Sequence, residues 1–114
     1  MTPDFGPAQL ARVLRGAARL LEDHGWTTGY FRSPEGCYCI VGAIQATAGD
    51  DIEAVTAAAA VSAWLTGHGE DISLTRWNDE RCHSGVKAAR LLRTVAGRLA
   101  SVAAGDRGAC DATA

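Results

Sequence analysis

Cys39 opens the run Cys39-Ile40-Val41-Gly42-Ala43-Ile44, a thiol set directly before a compact apolar segment. At a helix N-terminus a thiol feels the positive end of the helix dipole. That lowers its pKa and populates the thiolate, the form that attacks acyl and amide carbonyls. Free amides at the same helix start would receive the oxyanion formed in such an attack. Gly42 and Ala43, one turn on, would leave room for a substrate against the backbone. A buried thiol acting as a small hydrophobe fits the same position, so both roles stay open.

A nucleophilic cysteine needs a base or a charge partner. Of the three histidines, His24 ends a helical segment, where a cation is favourable in any case. His68 lies between two glycines, and His83 stands four residues after Asp79 and directly before the last helical segment. His83 is therefore the better base, with Asn78 or Asp79 orienting it; an exposed loop histidine is the plain alternative. The turn Trp77-Asn78-Asp79 joins a large ring to an amide and a carboxylate. Such a turn can anchor a loop and present two polar groups at a pocket mouth, or it can be a structural Asx-turn beside a core tryptophan. The expected catalytic set is Cys39, Asp79 and His83.

Cys37-x-Cys39 with Cys82-His83 makes a permitted zinc set by residue type. The spacing speaks against it: structural zinc pairs stand two to four residues apart, and adjacent Cys82 and His83 rarely both reach one tetrahedral ion. No metal is expected, and Cys110 near the chain end is read as incidental. The chain carries no phosphate-binding or dinucleotide-binding glycine loop, no zincin motif and no serine-hydrolase elbow. No cofactor is expected.

The elements that must hold these residues are helical. Gly6-Pro7 opens a helix over 7–24 whose Leu10, Val13, Leu14, Ala17, Leu20 and Leu21 recur at helical spacing, with Gly25 as its stop. Residues 26–38 are aromatic and polar and suit an extended segment or short hairpin, closed by the Ser33-Pro34-Glu35-Gly36 turn. The run from Cys37 to Ile44 suits a buried strand or a helix, and its alanine-rich continuation favours a helix from near Cys39 to Ala48. Asp50-Asp51 starts a helix over 51–66 with Ile52, Val55, Ala59, Ser62 and Trp64-Leu65 inward. Residues 70–83 read as a loop anchored by Ile72, Leu74 and Trp77. Ser84 caps a last helix over 85 to about 103, with Val86, Ala89, Leu92, Ala96, Leu99 and Val102 inward.

These elements make a mostly α, single compact domain of about four helices over 1–104, followed by a disordered tail at 105–114. A chain of 114 residues, 47% hydrophobic and 21% charged, suits one globular domain. Much of the apolar content is alanine, so closely approaching helices must be anchored by a few large residues. Those expected are Leu10, Leu14, Leu21, Trp26, Ile44, Trp64, Leu65, Trp77, Leu92 and Leu99. The net charge of −2 and the dispersal of Arg12, Arg15, Arg19, Arg90, Arg93 and Arg98 over the first and last helices argue against nucleic-acid binding. No signal peptide or membrane span is visible, so the expected address is the cytoplasm, with reduced thiols.

His24-Gly25-Trp26, Tyr30, Cys39 to Ile44 and Trp77-Asn78-Asp79, in that order before a closing amphipathic helix, resemble a family of small proteins of unknown function from actinobacteria and their phages. The resemblance covers roughly residues 8–98. It implies that Gly25-Trp26, Cys39, Gly42-Ala43 and Trp77-Asn78-Asp79 define the family, and it supplies no activity. Cys37, Cys82 and His83 fall outside the pattern. The expected binding positions are Trp26, Tyr30, Gly42, Trp77 and Asn78.

Two functions follow from these residues. One is a small cofactor-free enzyme, of the kind found in secondary metabolism, with Cys39 as nucleophile on an acyl or amide group of a small-molecule or peptide substrate. It would be a hydrolase, a transferase or a cyclase. The other is a non-catalytic accessory module that binds a small molecule or a protein. A homodimer is left open.

Overall fold

Pro7 sits where a helix has no use for its missing amide, and α1 (Pro7–His24) runs from it to Gly25. Gly25 takes φ +97° and donates its N–H to the Leu21 carbonyl, closing the last turn at the expected residue. The computed structural model describes the backbone of residues 6–113 and the side chains of residues 6–104. Within that span the chain is mostly α. The other helices are α2 (Ile40–Thr47), α3 (Asp51–Gly67), α4 (Leu74–Trp77) and α5 (Gly85–Thr113), with one π-helical turn over Asn78–Cys82. The tail expected to be disordered falls on residues whose side chains lie outside those described.

α1 packs chiefly on α5, and α2 and α3 close over them. Leu10, Val13, Leu14, Ala17, Ala18 and Leu21 of α1 share one core with Ile40, Ile44, Val61, Leu65, Leu92 and Val95. Alanines 11, 17, 18, 43, 57, 88, 89 and 96 are buried among them, which is how an alanine-rich sequence reaches a dry interior: the backbones approach closely. Of the expected anchors, Trp26, Trp64 and Leu99 are only half-buried.

The extended segment after α1 makes two isolated bridges, Trp26 with Tyr38 and Arg32 with Tyr38, and no longer strand. The run after Cys37 is helical from Ile40, because Cys39 caps it and the β-branched residues continue into Gly42-Ala43 rather than alternating.

Two faces differ from the periodicity reading. In α3, Ile52, Val55 and Ala59 point to solvent, and Glu53, Ala54, Ala57, Val61 and Leu65 point inward. α3 is apolar around its whole circumference, so apolar spacing alone does not choose a face. Its N-terminus does. Asp50 accepts the Glu53 N–H (2.8 Å), and the Glu53 carboxylate accepts from Gly49 N (2.6 Å) and from the Gln9 side chain of α1. That reciprocal cap turns the Glu53 face to the core. In α5, Val86 and Val102 are exposed, and the buried stripe is Ala88, Ala89, Leu91, Leu92, Val95 and Ala96.

The segment read as a loop at 70–83 is largely helical. Ser73 caps α4 by accepting the Arg76 N–H (3.2 Å), and Leu74 and Trp77, three apart, bury the same face. The π turn then carries the chain to His83, which takes the left-handed φ of +69°. Punctuating polar residues had masked a helix held by two large anchors.

Candidate functional site

Asn78 is fully buried, and all four of its hydrogen-bonding positions are filled. Its Oδ1 accepts from the Trp26 indole (2.7 Å) and from the Ile40 amide (3.0 Å). Its Nδ2 donates to the Thr27 carbonyl (3.1 Å) and to Asp79 Oδ1 (3.0 Å). One side chain thus ties the extended segment, the start of α2 and the π turn together. The π turn places Asn78 inward directly after Trp77 and leaves Asp79 at the surface. Asp79 Oδ1 also accepts the Gly29 N–H (3.3 Å), which holds the aromatic loop against the turn.

Cys39 is 2% exposed, and its sulfur accepts the Gly42 N–H (3.3 Å) as the N-cap of α2. Burial pushes its pKa up; the Gly42 and Val41 amides pull it down less strongly, and the Asp79 charge pushes it up further. This reverses the expected depression of the thiol. Helix-end amides favour a thiolate, but here desolvation outweighs them. The expected oxyanion site is filled as well, since the Ile40 amide is taken by Asn78 and the Gly42 amide by the Cys39 sulfur.

Gly42 has a different purpose from substrate access. A Cβ there would lie 1.8 Å from the Phe31 carbonyl oxygen, the same oxygen that accepts the Cys39 N–H (3.2 Å). Only a glycine lets the aromatic loop cross the first turn of α2 at that distance. Gly85 admits Trp26 in the same way, with a would-be Cβ 2.9 Å from the tryptophan Cβ.

Three of the predicted residues meet at a recess of about 240 Å³: Tyr30, Cys39 and Asp79 line it with Gly29, Phe31 and Thr75. Tyr30 and Phe31, which line it, are 56% and 53% exposed. His83 does not line it. Trp26 and Trp77 each line a different cleft, and Asn78 and Gly42 act behind the recess as frame. The cleft of Trp26, about 820 Å³ between the end of α1 and the start of α5, is larger. Its Arg93 is paired with Glu22, which that pairing holds below the usual carboxylate range. It contains neither the thiol nor Asp79, so the smaller recess is the better candidate site.

Phe31 and Thr75 went unread in the sequence. Phe31 is adjacent to Tyr30, and Thr75 is four residues before Asp79, on one face once 74–82 is helical; that helix was the missing signal. Among the thiols, Cys82 donates to the Ser84 carbonyl (3.1 Å), and Cys37 is half-buried against Gly25. Among the described residues, no three His, Cys, Asp or Glu side chains group around a common metal position.

No helix among the described residues is long and apolar enough to cross a membrane. No curated protein and no solved structure matches the chain. This chain belongs to the family of unknown function DUF6197, whose model matches residues 6–98.

Proposed function

We propose that this protein is a non-catalytic binding module whose ligand enters the recess between the Tyr30-Phe31 loop and the Thr75–Asp79 surface. The observation that carries this reading is the internal use of the would-be catalytic groups. The Cys39 sulfur caps α2, and the Ile40 and Gly42 amides are already bonded. A nucleophile must be ionised and reachable. Cys39 is sealed and its thiol is pushed above its ordinary range. The residues that remain accessible, Tyr30, Phe31, Thr75 and Asp79, offer aromatic, hydroxyl and carboxylate groups that can bind a ligand without an ionised thiol beside them. On this reading the Gly25-Trp26, Cys39–Ile44 and Trp77–Asp79 motifs are the frame of a binding surface. A cytoplasmic address, where the thiols of Cys37, Cys39 and Cys82 stay reduced, goes with it.

Site-resolved alkylation tests the choice between module and enzyme. The native protein is treated with iodoacetamide from pH 6.5 to 8.5, and labelling at each cysteine is read by tandem mass spectrometry. Cys37 should label while Cys39 stays protected until denaturant is added. Labelling of Cys39 below pH 7.5, faster than Cys37, would restore the cysteine nucleophile and sink the module.

A further inference from the structure

We infer that the recess takes an organic cation, an alkylammonium or guanidinium head on a short aliphatic stem; this rests on the binding-module reading. The charge argument begins with Asp79. It makes no ion pair among the described residues, whereas the neighbouring cations on the same turn are spent: Arg76 pairs with Glu80 (2.9 Å) and Arg81 with Glu70 (3.7 Å). Its Oδ1 is used twice, by Gly29 and Asn78, and Oδ2 accepts no hydrogen bond from any described residue. Asp79 lines the recess with one carboxylate oxygen bonded twice and the other without a described partner. A fixed carboxylate beside a low-polarity wall selects for a cation with donors.

The wall and the size narrow the class. Two aromatic residues, Tyr30 and Phe31, line the recess with Asp79, and the face of an aromatic ring attracts a cation electrostatically. Thr75 adds a hydroxyl. A recess of about 240 Å³ is below the roughly 300–1,000 Å³ that whole drug-sized ligands occupy. It suits a terminal group, not an entire metabolite. An anion would meet Asp79, and a neutral alkyl group would leave it unpaired.

The same head occurs on free amines and on Lys or Arg side chains, and titration separates the two sources. Amide spectra of the ¹⁵N-labelled protein are recorded with n-butylammonium, n-butylguanidinium, 1-pentanol and valerate, and with N-acetyl-lysine-N-methylamide and N-acetyl-arginine-N-methylamide. The cations should give saturable shifts at Gly29, Tyr30, Phe31, Thr75 and Asp79, with Kd on the order of millimolar for so few atoms. Pentanol and valerate should give none at matched concentration. Asp79→Asn keeps the Oδ1 acceptor for Gly29 and Asn78 and removes only the charge, so it should stay folded and weaken cation binding tenfold or more. Tenfold tighter binding of the amino-acid amides than of the simple cations points to a peptide side chain; equal or weaker binding points to a free amine. Saturation by pentanol equal to that by butylammonium, shifts confined to the Trp26 cleft between α1 and α5, no cation response, or unchanged affinity in Asp79→Asn would each overturn the cation assignment. An inert Cys39 with no cation response discards only the ligand class. A reactive Cys39 discards the module itself.

Discussion

Replacing Asn78 by alanine removes four hydrogen bonds from one buried point. The Ile40 amide belongs to a fully buried residue at the first turn of α2, and without Asn78 Oδ1 it has no acceptor. A buried donor left unpaired costs about 1–3 kcal/mol. The Trp26 indole and the Thr27 carbonyl are on half-buried residues that water can reach, so together they add about 1 kcal/mol. The expected loss is about 3 kcal/mol, a large part of the roughly 5–15 kcal/mol that holds a domain folded. For a chain of this length that lowers Tm by roughly 10–15 °C. Urea unfolding followed by far-ultraviolet circular dichroism measures it, read as a shift in midpoint at constant slope. Asp79→Asn is the matched control, because it keeps both acceptor contacts at the surface, and it should cost under about 0.5 kcal/mol. If Asn78→Ala loses less than about 1 kcal/mol, or no more than the control, Asn78 is not the hub that joins the loop, α2 and the π turn.

Gly42→Ala should cost more than any surface change, because its Cβ would strike the Phe31 carbonyl at 1.8 Å and a backbone atom cannot rotate away. A Tm within about 3 °C of wild type would refute that packing. Gly97, helical and with open space at its Cβ position, should instead gain about 0.5–1 kcal/mol on change to alanine. Stability should also fall in alkali. Burial holds the Cys39 and Cys82 thiols above their ordinary 9.0 in the folded chain, so the unfolded chain loses those protons first. Their contribution is full below about pH 9 and is lost as pH rises through the folded values. Urea midpoints between pH 7 and 10.5 should therefore decline, less steeply in Cys82→Ala; a flat profile would contradict the burial of both thiols.

The helices were legible in the sequence where local signals agreed. Pro7, Gly25, Asp50 and Ser84 mark ends through amide satisfaction and backbone freedom, which depend on a few neighbouring residues. α1 begins and ends, and α3 and α5 begin, where those signals place them. Tyr30, Cys39 and Asp79, distant in the sequence, line one recess.

Only the tertiary structure decided what each of these residues does. Cys39 has the local setting of an activated thiol, but desolvation is a property of everything packed around it, and it reverses the effect of the helix end. Gly42 reads as an opening until the Phe31 carbonyl is found lying on it. Asn78 reads as half of an Asx-turn, yet its partners stand 52, 51 and 38 residues away in Trp26, Thr27 and Ile40. The face of α3 that turns inward was undetermined for a similar reason: a helix apolar on all sides takes its orientation from partners such as Gln9 and the Glu53 cap. Helix ends are local chemistry and can be read along the chain. Burial, close approach and long-range hydrogen bonds exist only between segments, so the roles they assign appear only once the segments meet.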